Sequence, residues 1–394
     1  MSAGRRICRH EGVCGGCGLQ ATPYPEQLTE KGARLRALLP ASAFPRGAAG
    51  PLFLPVFPLD LAAGPWHYRQ KVAFVFGPAA DGRGLVMGHY ARGSQRLVAV
   101  DECPVHSERG NRIAFALRDR LAAARISAAG PSLNGIVRHL LIRTTADDRE
   151  AVAMLVVTRN DKSLRKPVRA LLESDLRPDG FYVNIHDTPG PFMVGRETLK
   201  IDGRGQIRER VGGLSFLVSP TAFFQTNVRA AAVLQAHVLE AVRSSPRVLD
   251  LYAGSGLFSL ALLKAGAQVM AIEENRQAVE DAEANLRLNR LPPNGIRLLA
   301  ARVDAVLDRI ANERWDAVVL DPPRQGCAPA VLEAVFGRIR PPRAVYVSCN
   351  PEALAAELPR IVSSGYVVSD LRAVDMFPHT DHIETVVTLV RRQK

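Results

Sequence analysis

The chain has 394 residues, of which 47% are hydrophobic and 23% charged, and its formal net charge is +12. One hydrophobic core rarely supports that length, so the sequence predicts two or three domains. The longest apolar run, AVAMLVV, is too short to span a bilayer, and neither end has the pattern of a signal peptide. We therefore expect a cytoplasmic protein with no membrane partner, which excludes membrane-spanning and secreted classes.

Positive charge is concentrated in the first half of the chain. Residues 1–218 contain 31 Lys and Arg against 20 Asp and Glu, whereas residues 219–394 contain 20 against 19. Such an asymmetry is typical of a protein that binds a polyanion such as a nucleic acid. A codon bias is the alternative, because Arg outnumbers Lys by 44 to 7, but that bias does not explain the uneven distribution.

Three cysteines lie close together near the N-terminus, in ICRHEGVCGGCGLQ: Cys8, Cys14 and Cys17. In a long chain, clustered cysteines favour a metal site over a disulfide framework. Zinc and iron-sulfur sites usually take four protein ligands, so one ligand is missing. Cys103, in DECPVHS, is the only other cysteine before residue 219, and we predict that it is the fourth ligand.

Helical and strand-like segments follow one another irregularly up to residue 218. YPEQLTEKGARLRALL predicts a short helix, and the Pro-, Gly- and Ala-rich residues 40–65 predict a linker. Strand-like runs follow over 68–101 and again in HLLIRTT, AVAMLVVT and FYVNIH, with helices expected at 105–124 and 161–173. This pattern indicates a central α+β region, and it contains no catalytic motif.

From residue 246 onward, strand-like and helical segments alternate strictly, beginning with RVLDLY, LFSLALLKAG and QVMAIE. This alternation predicts a parallel, doubly wound α/β sheet. The last two strand-like runs, YVVSDLRAVDMF and HIETVVTLV, have no helix between them, so we expect them to complete the sheet as an antiparallel hairpin. The chain thus divides into three expected domains, 1–65, 66–218 and 219–394.

The first strand of the expected sheet runs into a glycine-rich turn, VLDLYAGSGLF. Ligands bind across the carboxyl ends of the strands in such sheets, and Glu273, at the end of the next strand, can bind ribose hydroxyls there. Gly254 and Gly256 lack the third glycine of a dinucleotide motif, because Ser259 stands in its place. Asp250 suits a cationic ligand better than a pyrophosphate. These features favour S-adenosylmethionine (SAM) over a nicotinamide cofactor.

A candidate nucleophile follows a later strand, in AVYVSCNPEAL. Cys349 ends that strand, Asn350 is the expected N-cap of the next helix, and Pro351 is its expected first residue. A thiol at a helix N-terminus faces unpaired N–H groups, so we expect a lowered pKa and a nucleophilic thiolate. Cys327, in DPPRQGC, lacks an equally clear cap, and we expect it to pack in the core.

Two carboxylates are expected at the same edge of the sheet. WDAVVLDPPR ends a strand at Asp321, and its two prolines stiffen the loop that follows. Glu384 begins the apolar strand in HIETVVTLV. Burial at that point would raise the pKa of Glu384, which makes it a candidate general base; an ordinary carboxylate at a strand end is the alternative.

Five segments, SPTAFFQTN, LDLYAGSGLF, DPPRQG, VSCNP and HIETV, follow one another in this order. Together they resemble the motifs of the SAM-dependent RNA uracil-C5 methyltransferase family. The N-terminal cysteines, YRQKVAF and DMFPHTDHIE are most similar to the short bacterial 23S rRNA (uracil-5-)-methyltransferases, which lack the N-terminal RNA-binding β-barrel (TRAM) of longer relatives. The resemblance covers nearly the whole chain, although the middle is matched only loosely.

The resemblance implies a class I (Rossmann-like) SAM-dependent methyltransferase sheet, an N-terminal iron-sulfur segment and a central α+β domain. Cys349 matches the nucleophile of the family and Glu384 matches its general base. The positions that match cofactor-binding residues, or are expected beside them, are Gln225, Tyr252, Glu273, Asp321, Asp250, Gly254, Gly256 and Asp304. Leu257 departs from the Asn or Gly of relatives, which leaves a contact at that position in doubt.

The resemblance also implies a metal centre and an aromatic contact. The spacing of Cys8, Cys14 and Cys17 with a remote Cys103 resembles the [4Fe-4S] cluster of the family, and zinc is the alternative. We expect a structural centre that joins the N-terminus to the region around Cys103. Either Phe223 or Phe224 could stack on a base, and packing in the core is the alternative for both.

The activity implied is methylation of C5 of a loop uridine in 23S rRNA. Addition of the thiolate at C6 makes C5 nucleophilic, C5 then takes the methyl group, and removal of the C5 proton allows the thiolate to leave. A paired uridine hides both carbons, so the target must lie in a loop or be flipped out. Two alternatives remain: the same chemistry on tRNA or another rRNA uridine, and an iron-sulfur RNA-binding or redox-sensing protein without methyltransferase activity.

Overall fold

The structure is a computed structural model that describes residues 7–44, 64–79, 84–130, 133–190 and 193–392. The expected linker at 40–65 lies mostly outside these ranges. Within them the protein is α/β, with one seven-stranded sheet in the central region and another in the C-terminal region. In the same ranges, none of the helices combines the length and the apolar character needed to cross a bilayer.

The helices and strands follow the expected order wherever the sequence predicted one. The helices of the described residues are α1 (Tyr24–Leu38), α2 (Glu108–Ala123), α3 (Arg165–Leu172), α4 (Val228–Ala241), α5 (Ser259–Lys264), α6 (Arg276–Leu288), α7 (Val303–Ile310), α8 (Pro329–Glu333) and α9 (Pro351–Ser363). The strands of the central region are β1 (Lys71–Pro78), β2 (Leu85–Tyr90), β3 (Leu97–Ala99), β4 (Val137–Thr144), β5 (Ala151–Val157), β6 (Gly180–Ile185), β7 (Glu197–Gly203), β8 (Ile207–Val211) and β9 (Leu214–Val218). Those of the C-terminal sheet are β10 (Arg247–Leu251), β11 (Gln268–Glu273), β12 (Ile296–Ala300), β13 (Ala317–Leu320), β14 (Arg343–Ser348), β15 (Tyr366–Val374) and β16 (Glu384–Arg391). Of these elements, β7, β8, β9, α4 and α7 were not predicted.

Helix α1 lies against the C-terminal sheet, although it is far from that sheet in the sequence. Its buried residues, Gln27, Lys31 and Leu35, are spaced by four and therefore share one face. Leu35 packs in a hydrophobic core with Leu249 of β10 and Leu354 of α9. The N-terminal segment thus extends the methyltransferase-like half rather than standing apart from it.

The central sheet has the strand order β3-β2-β1-β4-β5-β6-β7. Its pairs are antiparallel except for β5 and β6, which are parallel and joined through α3. Ile113, Leu117 and Leu121 of α2, spaced by four, pack on one face of this sheet with Phe74 and Leu140. The expected α+β character and both expected helices are confirmed.

The hairpin β8–β9 belongs by its packing to the C-terminal half. Ile207 and Phe216 share a core with Leu234 of α4 and Leu286 of α6. Ser215 and Leu217 donate backbone N–H groups to Asn289 and Asn285 of the same half. We propose that the boundary between the second and third domains, expected after residue 218, lies instead before this hairpin.

The C-terminal sheet has the order β12-β11-β10-β13-β14-β16-β15. Strands β10 to β14 are parallel, and their apolar side chains alternate between two cores, with Val248 on one face and Leu249 on the other. The order reverses beside β10, which is the point of such sheets where ligands bind. Strands β15 and β16 form the antiparallel hairpin expected from the sequence.

Candidate active site

A cavity of about 1030 Å³ opens at the carboxyl ends of β10, β11, β13 and β14. The residues predicted from the sequence that line it are Gln225, Tyr252, Gly254, Glu273, Asp304, Asp321, Cys349 and Glu384. Asp250 and Gly256 are the two predicted residues that are not among its lining residues. The fold therefore brings together residues that are up to 159 positions apart, from Gln225 to Glu384.

Strand register places Cys349 beside Glu384. In the antiparallel pair of β14 and β16, Ser348 is opposite Thr385, so the next step along the ladder sets Cys349 opposite Glu384. The Thr385 hydroxyl donates to the Ser348 carbonyl at 3.2 Å and holds this end of the pair together. Directly opposed residues in such a ladder have Cβ atoms about 5 Å apart, and their side chains leave the same face.

Cys349 precedes the helix cap that the sequence predicts. The Asn350 side chain accepts from the backbone N–H groups of Glu352 and Ala353, and Pro351 is the first residue of α9. The expected lowering of the Cys349 pKa is nevertheless wrong for this structure. Burial, followed by the negative charges of Glu384 and Asp321, raises that pKa to about 11, which outweighs the opposing charge of Arg324.

Glu384 and Asp321 are both carboxylates of raised pKa. Burial, reinforced by the charge of Asp321, raises the pKa of Glu384 well above its ordinary value, as the sequence predicted. Burial, reinforced by Asp250 and Glu273, raises the pKa of Asp321 to about 7. Arg324 is the cation that lowers the pKa of Glu384 and of Cys349. A second cationic group in the cavity would lower these pKa values further.

The turn after β10 is held in a strained conformation. Tyr252 has a φ of 65°, which is unusual for a bulky residue, and Gly254 and Gly256 have φ values of 55° and 89°. The Gly254 N–H donates to the Glu273 carboxylate at 2.9 Å, which ties the turn to the end of β11. Gly256 is required by the backbone here, and a Cβ at that position would also crowd Leu260.

Asp250 is not among the residues that line the cavity, and its expected contact with the cofactor stays a prediction. Its carboxylate is buried and accepts a hydrogen bond from the hydroxyl of Ser259 in α5. Burial raises the pKa of Asp250 to about 7 in spite of that hydrogen bond. The same contact explains why Ser259 replaces the third glycine of a dinucleotide motif. The hydrogen bond to Ser259 thus joins the strand to the helix after the turn.

The segment carrying Phe223, Phe224 and Gln225 is fixed by the central sheet. The guanidinium of Arg143 donates to the Ala222 carbonyl at 2.9 Å, and the backbone N–H of Gln70 donates to Thr226 at 2.7 Å. Phe224 is buried and packs on Phe216, with ring centroids 5.5 Å apart. Phe223 is 67% exposed and lines the cavity. Both residues line the cavity, but Phe223 is the more exposed ring and is the better placed of the two to contact a base.

Among the cavity residues that sequence reasoning missed are Arg324, Arg302 and Phe377. Arg324 follows the two prolines of DPPR, and its carbonyl accepts from the Asn350 side chain at 2.8 Å, which joins the two loops that carry Asp321 and Cys349. Arg302 pairs with the predicted Asp304 at 2.7 Å. Phe377 lies in the loop before Glu384. The position of Arg324 in the motif DPPR could have indicated its place at the cavity, whereas the place of Phe377 depends on how its loop folds.

The four N-terminal and central cysteines converge on a second, much smaller cavity. Cys8, Cys14, Cys17 and Cys103 all line this space of about 30 Å³, together with Arg69. The N–H groups of His10 and Gly16 donate to the sulfur atoms of Cys8 and Cys14, each at 3.4 Å. Burial raises the pKa of all four thiols, and that of Cys103 reaches about 12. Within the described ranges, no group of three or more His, Cys, Asp or Glu is arranged to hold a metal ion.

The sheet order and the acidic cavity at its switch point define the class of protein, a SAM-dependent methyltransferase of the Rossmann-like α/β type. The family described as tRNA (Uracil-5-)-methyltransferase matches residues 61–392. The chain therefore belongs to the RNA uracil-C5 methyltransferase family.

Relatives and a solved structure agree with this assignment. An uncharacterized RNA methyltransferase of Gloeobacter violaceus is 36% identical over 389 residues, which cover 96% of this chain and 81% of that protein. One of Thermosynechococcus vestitus is 32% identical over 394 residues, covering 98% and 85%. The Pyrococcus abyssi tRNA (uracil-54, C5)-methyltransferase, solved with S-adenosyl-L-homocysteine, superimposes with a TM-score of 0.78 at 27% identity and covers 98% of this chain and 87% of its own.

These findings assign the chain an RNA uracil-5 methyltransferase activity that uses SAM. The expected family and fold class are confirmed. The alternative of an RNA-binding or redox-sensing protein without methyltransferase activity is not favoured, because the matched family covers the whole catalytic half.

Proposed function

We propose that the protein methylates C5 of an unpaired or flipped-out uridine, with Cys349 as nucleophile and Glu384 as general base. The observation that carries this proposal is the register of β14 and β16, which ends with Ser348 opposite Thr385, so that the next residues, Cys349 and Glu384, are neighbours that both line one cavity. The Cys349 thiolate adds to C6, and the electron pair of the C5–C6 double bond moves toward the C4 carbonyl. This makes C5 nucleophilic.

Glu384 completes the reaction. Once C5 has been methylated, its proton must leave before the C6–sulfur bond can break. Glu384 takes that proton, the double bond re-forms, and the thiolate is released. A carboxylate whose pKa is raised by burial is a stronger base than an exposed one.

The cavity fits SAM, which supplies the methyl group when bound. The Asp321 carboxylate lines the cavity, and no side chain or N–H of the described residues donates to it, so it is available to a cationic ligand. Glu273 lies at the end of β11, where ribose hydroxyls bind in such sheets. Gln225 and Tyr252 would hold the rest of the cofactor, and Asp304 the adenine end. A bound sulfonium would lower the pKa of Cys349 and favour the thiolate.

We propose 23S rRNA as the substrate and the cytoplasm as the place of action. The N-terminal cysteine pattern and the basic first half, which would hold the surrounding RNA, support this choice. A tRNA uridine is the second candidate, because the matched family and the Pyrococcus abyssi structure are both named for tRNA. The experiment is methylation of unmodified 23S rRNA and unmodified tRNA in separate reactions with labelled SAM, followed by mapping. We expect 5-methyluridine at one 23S position, and label in tRNA alone would refute the rRNA proposal.

We further propose a [4Fe-4S] cluster held by Cys8, Cys14, Cys17 and Cys103. Four thiols around one cavity, with N–H groups directed at two of the sulfur atoms, are a suitable donor set for such a cluster. Zinc is the alternative, since four cysteines suit it equally. Iron and acid-labile sulfide in anaerobically purified protein would support the cluster, whereas zinc without sulfide would refute it.

A further inference from the structure

We propose that helix α1 and the cysteine loop, residues 8–19, form a clamp that positions the general base, with Lys31 as its central residue. This inference rests on the proposed role of Glu384. The element that is clamped is the base loop, residues 375–383, which joins β15 to β16 and ends at Glu384. Hairpin loops usually have two to five residues, so a loop of this length needs contacts from elsewhere to hold one conformation.

The backbone of the base loop is held from outside. Carbonyl oxygens of the loop accept hydrogen bonds from several described residues that lie far away in the sequence. The bonds run from Asn227 to Met376 (2.9 Å), Lys31 to Phe377 (3.1 Å), Tyr68 to Pro378 (2.9 Å), Gly18 and Leu19 to His379 (2.8 and 3.0 Å), and Arg34 to Asp381 (2.8 Å). Most of these donors belong to residues 18–34.

A buried ion pair stands at the start of the base loop. The Lys31 ammonium lies 2.6 Å from the Asp375 carboxylate, and the two side chains are only 3% and 0% exposed. The same ammonium donates to the Phe377 carbonyl. Removing one partner of such a pair leaves the other charge buried without compensation. Lys31 therefore fixes both the side chain that starts the loop and the backbone of a residue that lines the cavity.

A second contact fixes the middle of the loop. The Gln27 side chain accepts from the backbone N–H of His379 at 2.9 Å, and its amide lies 3.1 Å from Nδ1 of the same residue. His379 has a φ of 63°, a conformation that a histidine keeps only when its surroundings impose it. Gln27 and Lys31 are one helical turn apart, so one face of α1 holds both the start and the middle of the loop.

The clamp reaches the site of chemistry through two residues. Phe377 lines the catalytic cavity, and Glu384 follows the loop directly. Lys31 touches neither the cavity nor the reacting atoms, so it is a positioning residue. Gly18 and Leu19 follow Cys17 directly, and their N–H groups donate to the His379 carbonyl, so these hydrogen bonds join the cysteine loop to the base loop.

The test separates the steps before and after methyl transfer. RNA carrying 5-fluorouridine traps the covalent adduct after methyl transfer, because its C5 carries no proton for the base to remove. Full-length Lys31→Met protein should form this adduct at a rate within about threefold of wild type. On ordinary uridine RNA, however, its turnover should fall by about tenfold or more, and methylated covalent adduct should accumulate. The dissociation constant for S-adenosylhomocysteine should stay within about threefold.

Glu30→Gln is the matched control, because Glu30 is an exposed residue of the same helix; it should turn over like wild type. Asp375→Asn, which keeps the shape of the partner, provides the same test if Lys31→Met does not fold. Wild-type turnover by the folded variants would overturn the clamp, as would equal losses of adduct formation, cofactor binding and turnover. Glu384→Gln serves as the reference. Wild-type turnover by that variant would refute the base assignment itself, whereas its inactivity beside a fully active Lys31→Met protein would refute only the clamp.

Discussion

At the scale of single residues, the thiol of Cys349 lies just before the start of α9 and close to the carboxylates of Glu384 and Asp321. The helix cap forms as the sequence predicts, yet the pKa of the thiol is raised, because burial and the charges of Glu384 and Asp321 outweigh the helix terminus. The helix cap could be predicted from the sequence Asn350-Pro351, which follows a strand. The sequence also predicted the two carboxylates at this edge of the sheet, but their effect on the pKa of the thiol depends on burial and distance, which only the fold decides.

We expect Cys349→Ala to reduce methyl transfer by roughly 10³-fold or more, since it removes the thiolate proposed to add to C6. Binding of S-adenosylhomocysteine should persist, because Glu273 and Asp321 are untouched. Incorporation of labelled methyl groups into RNA and calorimetric titration measure the two effects. Cys327 also lines the cavity, so Ser363→Ala, at an exposed position near the end of α9, is the comparison. Covalent adduct formation by Cys349→Ala would exclude Cys349 as the nucleophile.

Arg324 should set the pH dependence of the reaction. Cys349 and Glu384 act as thiolate and carboxylate, and both pKa values are raised, so the rate should increase with pH through the neutral range. Arg324 lowers both pKa values, so Arg324→Met should raise them and move the acidic limb to higher pH. Single-turnover rates at saturating RNA measure this shift. Arg302→Met, which removes the partner of Asp304, should leave the limb in place. If the acidic limb of the pH–rate profile had the same position in Arg324→Met as in wild type, the role of Arg324 would be contradicted.

At the scale of elements, the site depends on contacts between loops that follow different strands. The turn after β10 is held by Glu273, at the end of β11, and the loop after β13 is held by Asn350, at the start of α9. Strand and helix identities could be read from their periodicity. These ties could not, because strand order decides which loops become neighbours.

Asn350 has two separable roles. Asn350→Ala should cost about 1 kcal/mol of unfolding free energy through loss of the cap and should also slow methyl transfer. Asn350→Ser should retain most of the stability, because serine caps helices well, but it loses the donor to the Arg324 carbonyl and should still slow the reaction. Urea unfolding and single-turnover rates distinguish the two variants. Equal rates for Asn350→Ser and wild type would show that the bond to Arg324 has no catalytic effect.

At the scale of the whole molecule, the N-terminal segment connects both sheets. Cys14 forms a β-bridge with Ala91 beside the central sheet, while Gly18 and Leu19 bind the loop that leads to Glu384. The sequence indicated a cross-link between the N-terminus and the region around Cys103. It did not indicate that the same segment also contacts the catalytic half, because no short motif encodes a contact between residues so far apart.

Loss of one cysteine should therefore reduce thermal stability and RNA affinity more than cofactor binding. We expect Cys8→Ser to lower the midpoint of thermal unfolding and the affinity for RNA, with binding of S-adenosylhomocysteine little changed. Arg9→Gln is the control from the same loop, since its ion pair with Asp101 is exposed and contributes little. Selective loss of cofactor binding in Cys8→Ser would contradict a structural role for the cysteine site.

The sequence by itself determined the order of the elements, the class I sheet, the cap beside Cys349 and most of the residues around the cavity. These follow from local periodicity and from short motifs that keep strand ends and turns adjacent along the chain. Only the tertiary structure decided that Asp250 accepts a hydrogen bond from Ser259, that Phe223 is exposed whereas Phe224 is buried, and that α1 holds the base loop. The reason is physical: burial, strand register and the pKa of a buried group depend on neighbours that the fold brings from distant parts of the chain.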